Sequence, residues 1–342
     1  MTVPRTDVPA VQDLHMAGMA LVLRAIQPDD PSDRDALLEL HNAVFGSSVG
    51  VDWFDWKYRD GCSVGIGLWQ GRSLIAHCGG VPRSFWQADQ MSRFLQIGDV
   101  MVVPNWRGVF RRDNPFSAVS RALYSQFLGA DKPFRVGFGF PNDRHMRLAV
   151  KTGLAWHVAD MHQLCWDTPS HHTGMTWTWR VVELPQSWNE LTQVAHSWRN
   201  MQTSLVPARL RAGVRDHAHV LWRYLKRPDQ AYRFAAIKRP WRRSWLGIVV
   251  MSEQNPGQWL DWIGPIEAMP LACLGAQSMA RKYGAPQLTA WCSPPVEAYL
   301  QHTMVVSRSL AARVCVPINS DLKPDLDGEF SWWLMGGDTD FL

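Results

Sequence analysis

The sequence has few cysteines, no long apolar run and no large excess of either charge. Its six cysteines are spread over 342 residues without a Cys-x-x-Cys pair, which argues against a disulfide framework and a zinc site. No apolar stretch approaches the roughly 18 residues of a membrane-spanning helix, and no segment has the layout of a secretory signal. We therefore expect a cytoplasmic protein with reduced cysteines, no metal and no membrane partner.

The formal net charge of +4 is too small to require a nucleic-acid partner. One local cluster, Lys238-Arg239-Pro240-Trp241-Arg242-Arg243, is basic with an aromatic residue inside it. We interpret it as a solvated turn between two strands, because charged loop residues are usually solvated. The alternative is a patch that binds phosphate groups or RNA, whose affinity would fall steeply with salt.

Apolar residues make up 46% of the chain, which contains 19 tryptophans but 6 tyrosines. Such a composition is typical of a globular protein with a sizeable core. On a prior of about 150 residues per domain, the length predicts two domains. Most of the tryptophans are expected to pack in the core, and some to line a substrate groove.

The most informative segment runs from Ile97 to Gln126. The apolar run Val100–Val103 predicts a buried strand, Pro104 and Asn105 interrupt it, and apolar residues at helical spacing resume from Ala118. The loop between strand and helix is basic and contains Arg107, Gly108, Arg111 and Arg112. Free backbone N–H groups at a helix start, together with guanidinium groups, stabilise an anion, and a pyrophosphate suits this pattern.

The order of strand, Pro104-x-x-Arg107-Gly108, loop and helix resembles the pyrophosphate-binding segment of the GCN5-related N-acetyltransferases. That family holds acetyl-coenzyme A (acetyl-CoA) at this place. A second segment, Gly139-Phe140-Pro141-Asn142 through Lys151-Thr152-Gly153-Leu154, is similar to the strand and helix that follow in the family. The two matches occur in the family's order.

The chain also departs from the family pattern. The family loop reads Arg-Gly-x-Gly-x-Gly/Ala, whereas Arg107-Gly108-Val109-Phe110-Arg111-Arg112 keeps the first glycine alone. Asn114-Pro115-Phe116 resembles the Gly-Pro-Phe-like step of a subgroup with a longer basic loop, since Asn tolerates the left-handed conformation. Ala149 stands where many relatives have a tyrosine that acts as general acid, so the resemblance assigns no acid.

The resemblance implies an α/β (α+β) protein of two tandem domains, each with a mixed, mostly antiparallel central sheet flanked by helices. We expect a mobile leader over residues 1–18, an acyl-CoA-binding domain over 19–168 and a degenerate copy over 169–342. The second half repeats the order of elements, and Trp222-Arg223-Tyr224 echoes Trp56-Lys57-Tyr58. Glu267 stands where the first half has its basic loop and would repel a pyrophosphate.

The implied activity is direct transfer of an acetyl or other acyl group from coenzyme A (CoA) to an amine of a small molecule or peptide. Backbone N–H groups near Val102 or Val103, exposed by a bulge in the third predicted strand (Arg93–Val103), would polarise the thioester carbonyl. The implied cofactor-binding residues are Val102, Val103, Arg107, Gly108, Val109, Phe110, Arg111, Arg112, Asn114, Phe116, Ser117 and Asn142.

The candidate catalytic residues are Asp99 on the third strand and His145 one turn into the helix after Asn142. Each has a structural alternative: Asp99 as a carboxylate at a strand end that ties down backbone or an arginine, and His145 as a packing or solvated residue. The alternative function is a degenerate acyltransferase fold that binds a phosphorylated, glycan or peptide ligand. The sequence is compatible with a homodimer and does not identify the acceptor.

Overall fold

The structure is a computed structural model that describes residues 11–16, 18–107, 114–168, 178–185, 191–322, 330–339 and 341–342. The chain forms two compact units. Unit 1 comprises Met1–Arg83, Arg93–Val158 and Val314–Asp327, and unit 2 comprises Ser84–Ser92, Ala159–Arg313 and Gly328–Leu342. No helix among the described residues is both long and apolar enough to cross a membrane.

The first half of the chain alternates long strands with short helices. Its strands are β1 (Gln12–Met16), β2 (Met19–Ala25), β3 (Val64–Gln70), β4 (Ser73–Gln87), β5 (Gln90–Val102), β6 (Val136–Gly139) and β7 (Ala155–Asp167). Its α-helices are α1 (Pro31–Phe45), α2 (Val51–Phe54), α3 (Pro115–Phe127) and α4 (Asp143–Lys151). A π-helical turn (Asp55–Asp60) follows α2, and a 3-10 turn (Pro104–Trp106) follows β5.

The second half has the same kinds of element. Its strands are β8 (Arg180–Leu184), β9 (Leu210–Gly213), β10 (Tyr232–Lys238), β11 (Trp245–Ser252), β12 (Gln258–Ile263), β13 (Gln287–Cys292), β14 (Ser307–Pro317) and β15 (Ser331–Trp333). Its α-helices are α5 (Leu191–Leu205), α6 (His217–Val220), α7 (Met269–Lys282) and α8 (Pro294–Leu300). The π-helical turn is Leu221–Leu225, and the 3-10 turns are Ile266–Ala268 and Gly336–Asp338.

The sheet of unit 1 has the strand order β1-β2-β3-β4-β5-β6, followed by the end of β14. The neighbouring pairs β1–β2, β2–β3 and β3–β4 are antiparallel, whereas β5 and β6 are parallel. Helix α3 connects the parallel pair, as a crossover between parallel strands requires. The β5–β6 register runs from Phe94–Val136 to Ile97–Gly139, so β5 continues to Val102 beyond the end of β6.

The sheet of unit 2 follows the same plan. Its strand order is β7-β13-β12-β11-β10-β8, in which β12 and β13 are parallel and are connected by α7. The other pairs along this order are antiparallel. Off this order, β9 and β15 form a second parallel pair in unit 2. Among the described strands, the sheet of each unit is therefore mostly antiparallel and contains a parallel pair connected by a helix, which confirms the predicted sheet type.

The cores explain where many of the tryptophans go. The core of unit 2 contains Trp166, Trp259, Trp262 and Trp333, each fully buried, and Trp106 packs in the core of unit 1. Burial of apolar surface stabilises a folded unit by about 25 cal/mol per Å², and aromatic side chains bury large areas. The structure thus supports packing as the main use of these residues.

Two local expectations need correction. Residues 12–16 of the predicted leader form β1, which pairs with β2 and buries Met16. The sequence predicts Ser32 or Asp33 as the cap of the helix that follows the turn at residues 28–32, but helix α1 is capped by Asp30, whose carboxylate accepts from the Ser32 N–H at 2.8 Å. The Asp33 carboxylate is unavailable because both of its oxygens bind the Arg24 guanidinium at 2.6 Å.

Candidate functional site

The predicted phosphate loop follows β5 in unit 1. Trp106, on the 3-10 turn after β5, is buried in the core and fixes the start of the loop. Five predicted cofactor residues, Gly108, Val109, Phe110, Arg111 and Arg112, lie outside the described residues. The described part of the site is therefore the end of β5, Arg107, and the starts of α3 and α4.

Helix α3 begins at Pro115 and is capped by Asn114, whose side-chain oxygen accepts from the Ser117 N–H at 2.9 Å. Proline has no N–H, and the cap satisfies that of Ser117, so Phe116 provides the first-turn amide that is left for a ligand. The Ser117 hydroxyl is buried and has no partner among the described residues. Asn114 thus serves as a cap, and a buried hydroxyl lies in the first turn of the helix.

Helix α4 begins beside the start of α3. Asn142 caps it by accepting from the His145 N–H at 2.9 Å. The His145 imidazole stacks on the Phe116 ring, with centroids 5.9 Å apart and planes 15° from parallel. The positive ends of two helix dipoles are therefore next to each other, a field that favours an anion. Asp143 in the first turn of α4 offsets part of that field.

Arg107 and Arg144 add positive charge to this place. The pKa of His145 is lowered, first by burial and then by the positive charges of Arg144 and Arg107. Exposed Arg107 lies across the end of β5, where its Nε donates to the Val102 carbonyl at 2.8 Å. We call the starts of α3 and α4 together with Arg107 the anion site.

The two predicted oxyanion amides differ in their surroundings. The Val103 N–H donates to the Ile75 carbonyl on β4 at 3.0 Å, so this amide is already used. Successive residues of a strand direct their N–H groups to opposite edges. The Val102 amide therefore faces the other edge of β5, the side on which β6 ends at Gly139.

Asp99 belongs to a buried hydrogen-bond network that local sequence patterns do not predict. Its carboxylate accepts from Lys57 Nζ and from the Tyr58 hydroxyl, both at 2.7 Å, and its carbonyl accepts from His77 Nδ1 at 2.8 Å. Burial raises the pKa of Asp99, but Lys57 outweighs this effect and the net pKa is lowered. A carboxylate with both oxygens engaged and a lowered pKa is a weak proton acceptor.

The sequence offered some signal for this network. Tyr58 and Lys57 belong to the repeated Trp-Lys/Arg-Tyr pattern, and both lie on the π-helical turn Asp55–Asp60. The glycines near His77 are a second signal, because residues without a side chain leave space for its ring. In the structure a Cβ on Gly65 would come within 2.4 Å of the His77 Nε2. A large residue opposite small ones in paired strands predicts a filled pocket in the sheet.

The structure also places Ala149, two phenylalanines near α4 and the basic cluster of unit 2. Ala149 is buried, as suits the apolar face of α4. Phe138 is fully buried against Phe94, whereas Phe140 is half-buried. The basic cluster of residues 238–243 forms the turn between β10 and β11, as predicted, with Trp241 86% exposed.

Sequence comparison gives no assignment, because neither a protein-family model nor a curated protein matches the chain. Comparison of structures identifies the fold. A probable N-acyltransferase of unknown function from Enterococcus faecalis V583 matches with a TM-score of 0.66 and 11% identity over 90% of this chain and 74% of that one. A GCN5-related N-acetyltransferase from Kribbella flavida matches with a TM-score of 0.62 and 14% identity, over 87% and 71% of the two chains.

Saccharomyces cerevisiae N-myristoyltransferase, solved with bound myristoyl-CoA, matches with a TM-score of 0.56 and 11% identity over 93% of this chain and 86% of that one. All three similarities extend over most of both chains. The chain therefore has the fold of the GCN5-related N-acetyltransferases, as the resemblance predicted. At these identities the similarity establishes the fold, and the chemistry must be argued from the site.

Proposed function

We propose that this protein is an acyltransferase that binds an acyl-CoA in unit 1 and transfers the acyl group directly to an amine of a small molecule or peptide. The observation that carries the proposal is the anion site, where two helix starts and Arg107 lie at the end of β5. The N-myristoyltransferase that shares the fold was solved with an acyl-CoA bound, which supports the choice of cofactor.

The anion site suits the pyrophosphate of CoA. The Phe116 amide and the first amides of α4 provide donors, and Arg107 provides a guanidinium beside them. Arg111 and Arg112 in the preceding loop are the predicted further cations, with Gly108 allowing close approach of the backbone. Asn142 lies at the start of α4, where its exposed amide is available to the cofactor.

The acyl thioester would lie along the end of β5. The edge of β5 that extends past β6 leaves room for the thioester, and the Val102 amide faces that edge. Such an amide donates to the oxygen that becomes negative when the amine attacks the thioester carbonyl. The new amide bond forms as the carbon–sulfur bond breaks, CoA leaves as its thiolate, and the amine must lose one proton.

His145 is the better proton acceptor of the two candidates. Its lowered pKa keeps the imidazole neutral near pH 7, so it accepts a proton directly or through water. Asp99 has both carboxylate oxygens engaged by Lys57 and Tyr58 and acts better as a structural group. We therefore assign the base to His145 and a positioning role to Asp99.

We further propose that unit 2 is a second copy of the fold that does not bind CoA. Both units have a π-helical turn, a hairpin, a strand that leads into a 3-10 turn, a helix and a parallel strand. Glu267 lies in the 3-10 turn of unit 2, where its charge would repel a pyrophosphate. The domain boundaries at residues 19–168 and 169–342 belong to this proposal.

Calorimetry with acetyl-CoA tests the assignment. The wild type should bind acetyl-CoA, and a hundredfold excess over Kd should stabilise it by about 2.7 kcal/mol. The double variant Arg107→Ala/Arg111→Ala should lose binding without losing the fold. Arg242→Ala/Arg243→Ala, which removes the same charge from the exposed turn of unit 2, is the matched control and should bind normally.

Release of free CoA thiol in the presence of a panel of amines then tests transfer. Wild-type protein that binds acetyl-CoA should release thiol only with an accepting amine, and His145→Ala should reduce the rate while binding persists. If the wild type does not bind acetyl-CoA but binds a nucleotide or sugar phosphate, the transferase assignment is wrong and the degenerate binding protein is correct.

A further inference from the structure

The backbone at Asp99 is unusual for a residue inside a strand. Its φ is +50°, in the left-handed region that residues with a Cβ rarely adopt. Asp99 separates two parts of β5: residues 94–97, which pair with β6, and residues 100–102, which run on past it. A left-handed residue at this point turns the end of the strand, so the conformation of Asp99 determines where that end points.

Three side chains from two other elements hold this conformation. Lys57 Nζ and the Tyr58 hydroxyl, from the π-helical turn, bind the two carboxylate oxygens. His77 Nδ1, from β4, binds the Asp99 carbonyl at 2.8 Å. Strained backbone persists where the surroundings fix it from several sides, and such residues concentrate at functional sites.

While His77 Nδ1 makes this contact, the other ring nitrogen, Nε2, makes no hydrogen bond to the described residues. A carbonyl accepts a hydrogen bond, so the imidazole proton must be on Nδ1, and Nε2 carries a lone pair. That Nε2 is fully buried and has no partner among the described residues. An apolar residue would fill the same space without an unsatisfied acceptor, so packing alone does not explain a histidine here.

Glycines in the surrounding sheet leave space for the imidazole ring of His77. Gly67 is the direct partner of His77 in the β3–β4 register, and Gly65 pairs with Gly79. A Cβ would come within 2.4 Å of the imidazole at Gly65 and within 2.7 Å at Gly79. Burial, as the main cause, lowers the pKa of His77 to about 4, so the ring is neutral near pH 7 and keeps its proton on Nδ1.

We infer that His77 is a positioning residue, whose Nδ1–H holds the left-handed turn at Asp99 and thereby directs residues 100–102 at the acyl thioester. This inference rests on the proposed function, because it is acyl-CoA that these residues would meet. The anion site consists mainly of the starts of α3 and α4, and within it Arg107 binds this segment through the Val102 carbonyl. Loss of the His77 contact should therefore disturb the acyl end of the cofactor and leave the phosphate end bound.

Three variants separate the hydrogen bond from packing. His77→Asn keeps an N–H donor at the position of Nδ1, His77→Gln moves the donor to the position of Nε2, and His77→Leu removes it. Calorimetry with acetyl-CoA and with 3′-phosphoadenosine 5′-diphosphate, which keeps the pyrophosphate but lacks the pantetheine and the thioester, reports on the two ends separately. A variant that only weakens the fold would affect both probes alike.

We expect His77→Leu and His77→Gln to bind acetyl-CoA about tenfold more weakly, as the loss of one hydrogen bond implies. Their affinity for 3′-phosphoadenosine 5′-diphosphate should stay within about twofold of the wild type, and His77→Asn should restore most of the affinity for acetyl-CoA. Equal weakening of both probes in His77→Leu, or an Asn variant as weak as the Leu variant, would overturn the assignment.

Hydrogen exchange tests the turn without any cofactor. In His77→Leu the amides of residues 100–103 should exchange faster than in the wild type, because the bond from Val103 to Ile75 is no longer aligned. Exchange in β11 of unit 2 should not change. If the wild type binds neither probe, the proposed function fails while this measurement still decides the role of His77: unchanged exchange at residues 100–103 contradicts it.

Discussion

Asp99 in unit 1 and Asp261 in unit 2 lie at matching places and are treated differently. Each is on a strand that is followed by a 3-10 turn, with Pro104 as the first residue of one turn and Pro265 directly before the other. Each also accepts a hydrogen bond from the tyrosine of a π-helical turn, Tyr58 or Tyr224. Asp99 also forms an ion pair with Lys57 and has a left-handed backbone conformation. Asp261 instead binds Arg215, which also binds Asp338.

The two aspartates differ in how deeply their side chains are buried. The side chains of Arg215, Asp261 and Asp338 are at most 2% exposed, compared with 8% for Asp99. Burial lowers the pKa of Arg215, but the two carboxylates outweigh it and the net pKa is raised. The Asp261 carboxylate therefore joins elements within unit 2 and is inaccessible to a ligand, whereas the Asp99 network shapes a strand end beside the anion site. The same arrangement of strand and tyrosine supports structure in one unit and, as we propose, a cofactor site in the other.

Removal of Arg215 should have the largest effect on stability. Arg215→Met leaves the Asp261 and Asp338 carboxylates buried without their cation, which typically costs about 3–5 kcal/mol. Lys57→Met should cost less, because the Asp99 carboxylate keeps Tyr58 and some access to water. Urea unfolding of both variants measures the difference, and an Arg215→Met variant that loses under about 1 kcal/mol would show that the carboxylates find other partners.

Acid should weaken unit 1 through His77. Its folded-state pKa is about 4 and its ordinary value is 6.5, so the neutral form is preferred on folding. The resulting stability is fully present above pH 6.5 and is lost as the pH falls towards 4, by about 3 kcal/mol for that shift. Asp99, Lys57 and His41 also act on His77, but Asp99 has a lowered pKa and stays ionised through this window.

The comparison of wild type with His77→Asn isolates this effect, because the amide does not titrate. Unfolding free energies should converge as the pH is lowered from 6.5 to about 4. Parallel pH profiles for the two proteins would mean that His77 has the same pKa in the folded and unfolded states, with Nε2 reaching water.

The two tyrosine hydroxyls provide a matched pair of smaller changes. Tyr58→Phe and Tyr224→Phe each remove one hydrogen bond to a carboxylate, a loss of about 1.5–3 kcal/mol. We expect the larger value for Tyr224, because the more deeply buried Asp261 cannot replace the hydroxyl with water. Thermal unfolding of the two single variants gives the ranking. The reverse order would contradict the view that unit 2 encloses its carboxylate more tightly.

Local patterns allowed much of the fold to be predicted. Turn residues flank clear apolar runs at 232–238 and 245–252, which predicts a strand over each, and β10 and β11 have these bounds. Helix α5 was missed although Val194, Trp198, Met201 and Leu205 are buried at helical spacing. The π-helical turns could not be predicted, since one inserted residue in a helix leaves no periodic signal.

The network at Asp99 was beyond local patterns for a physical reason. Its members lie 41 and 22 residues apart along the chain, for Tyr58 and His77 respectively, and they meet only because the sheet brings β4 and the π-helical turn to β5. The sequence indicated that Asp99 was a candidate base. It could not show that both carboxylate oxygens are already used, which changes the role from proton acceptor to structural anchor.

An exposed pair of the same chemistry should contribute least. Arg135 in unit 1 binds Asp321 through Nε at 3.0 Å, but their side chains are 61% and 37% exposed. Arg135→Met should cost at most about 1 kcal/mol, and the cost should shrink in high salt, because water and ions screen the charges. Urea unfolding at low and high salt measures this. Since Arg215→Met makes the same substitution in a buried site, a similar and salt-insensitive cost for both variants would show that burial is not what distinguishes the two aspartate sites.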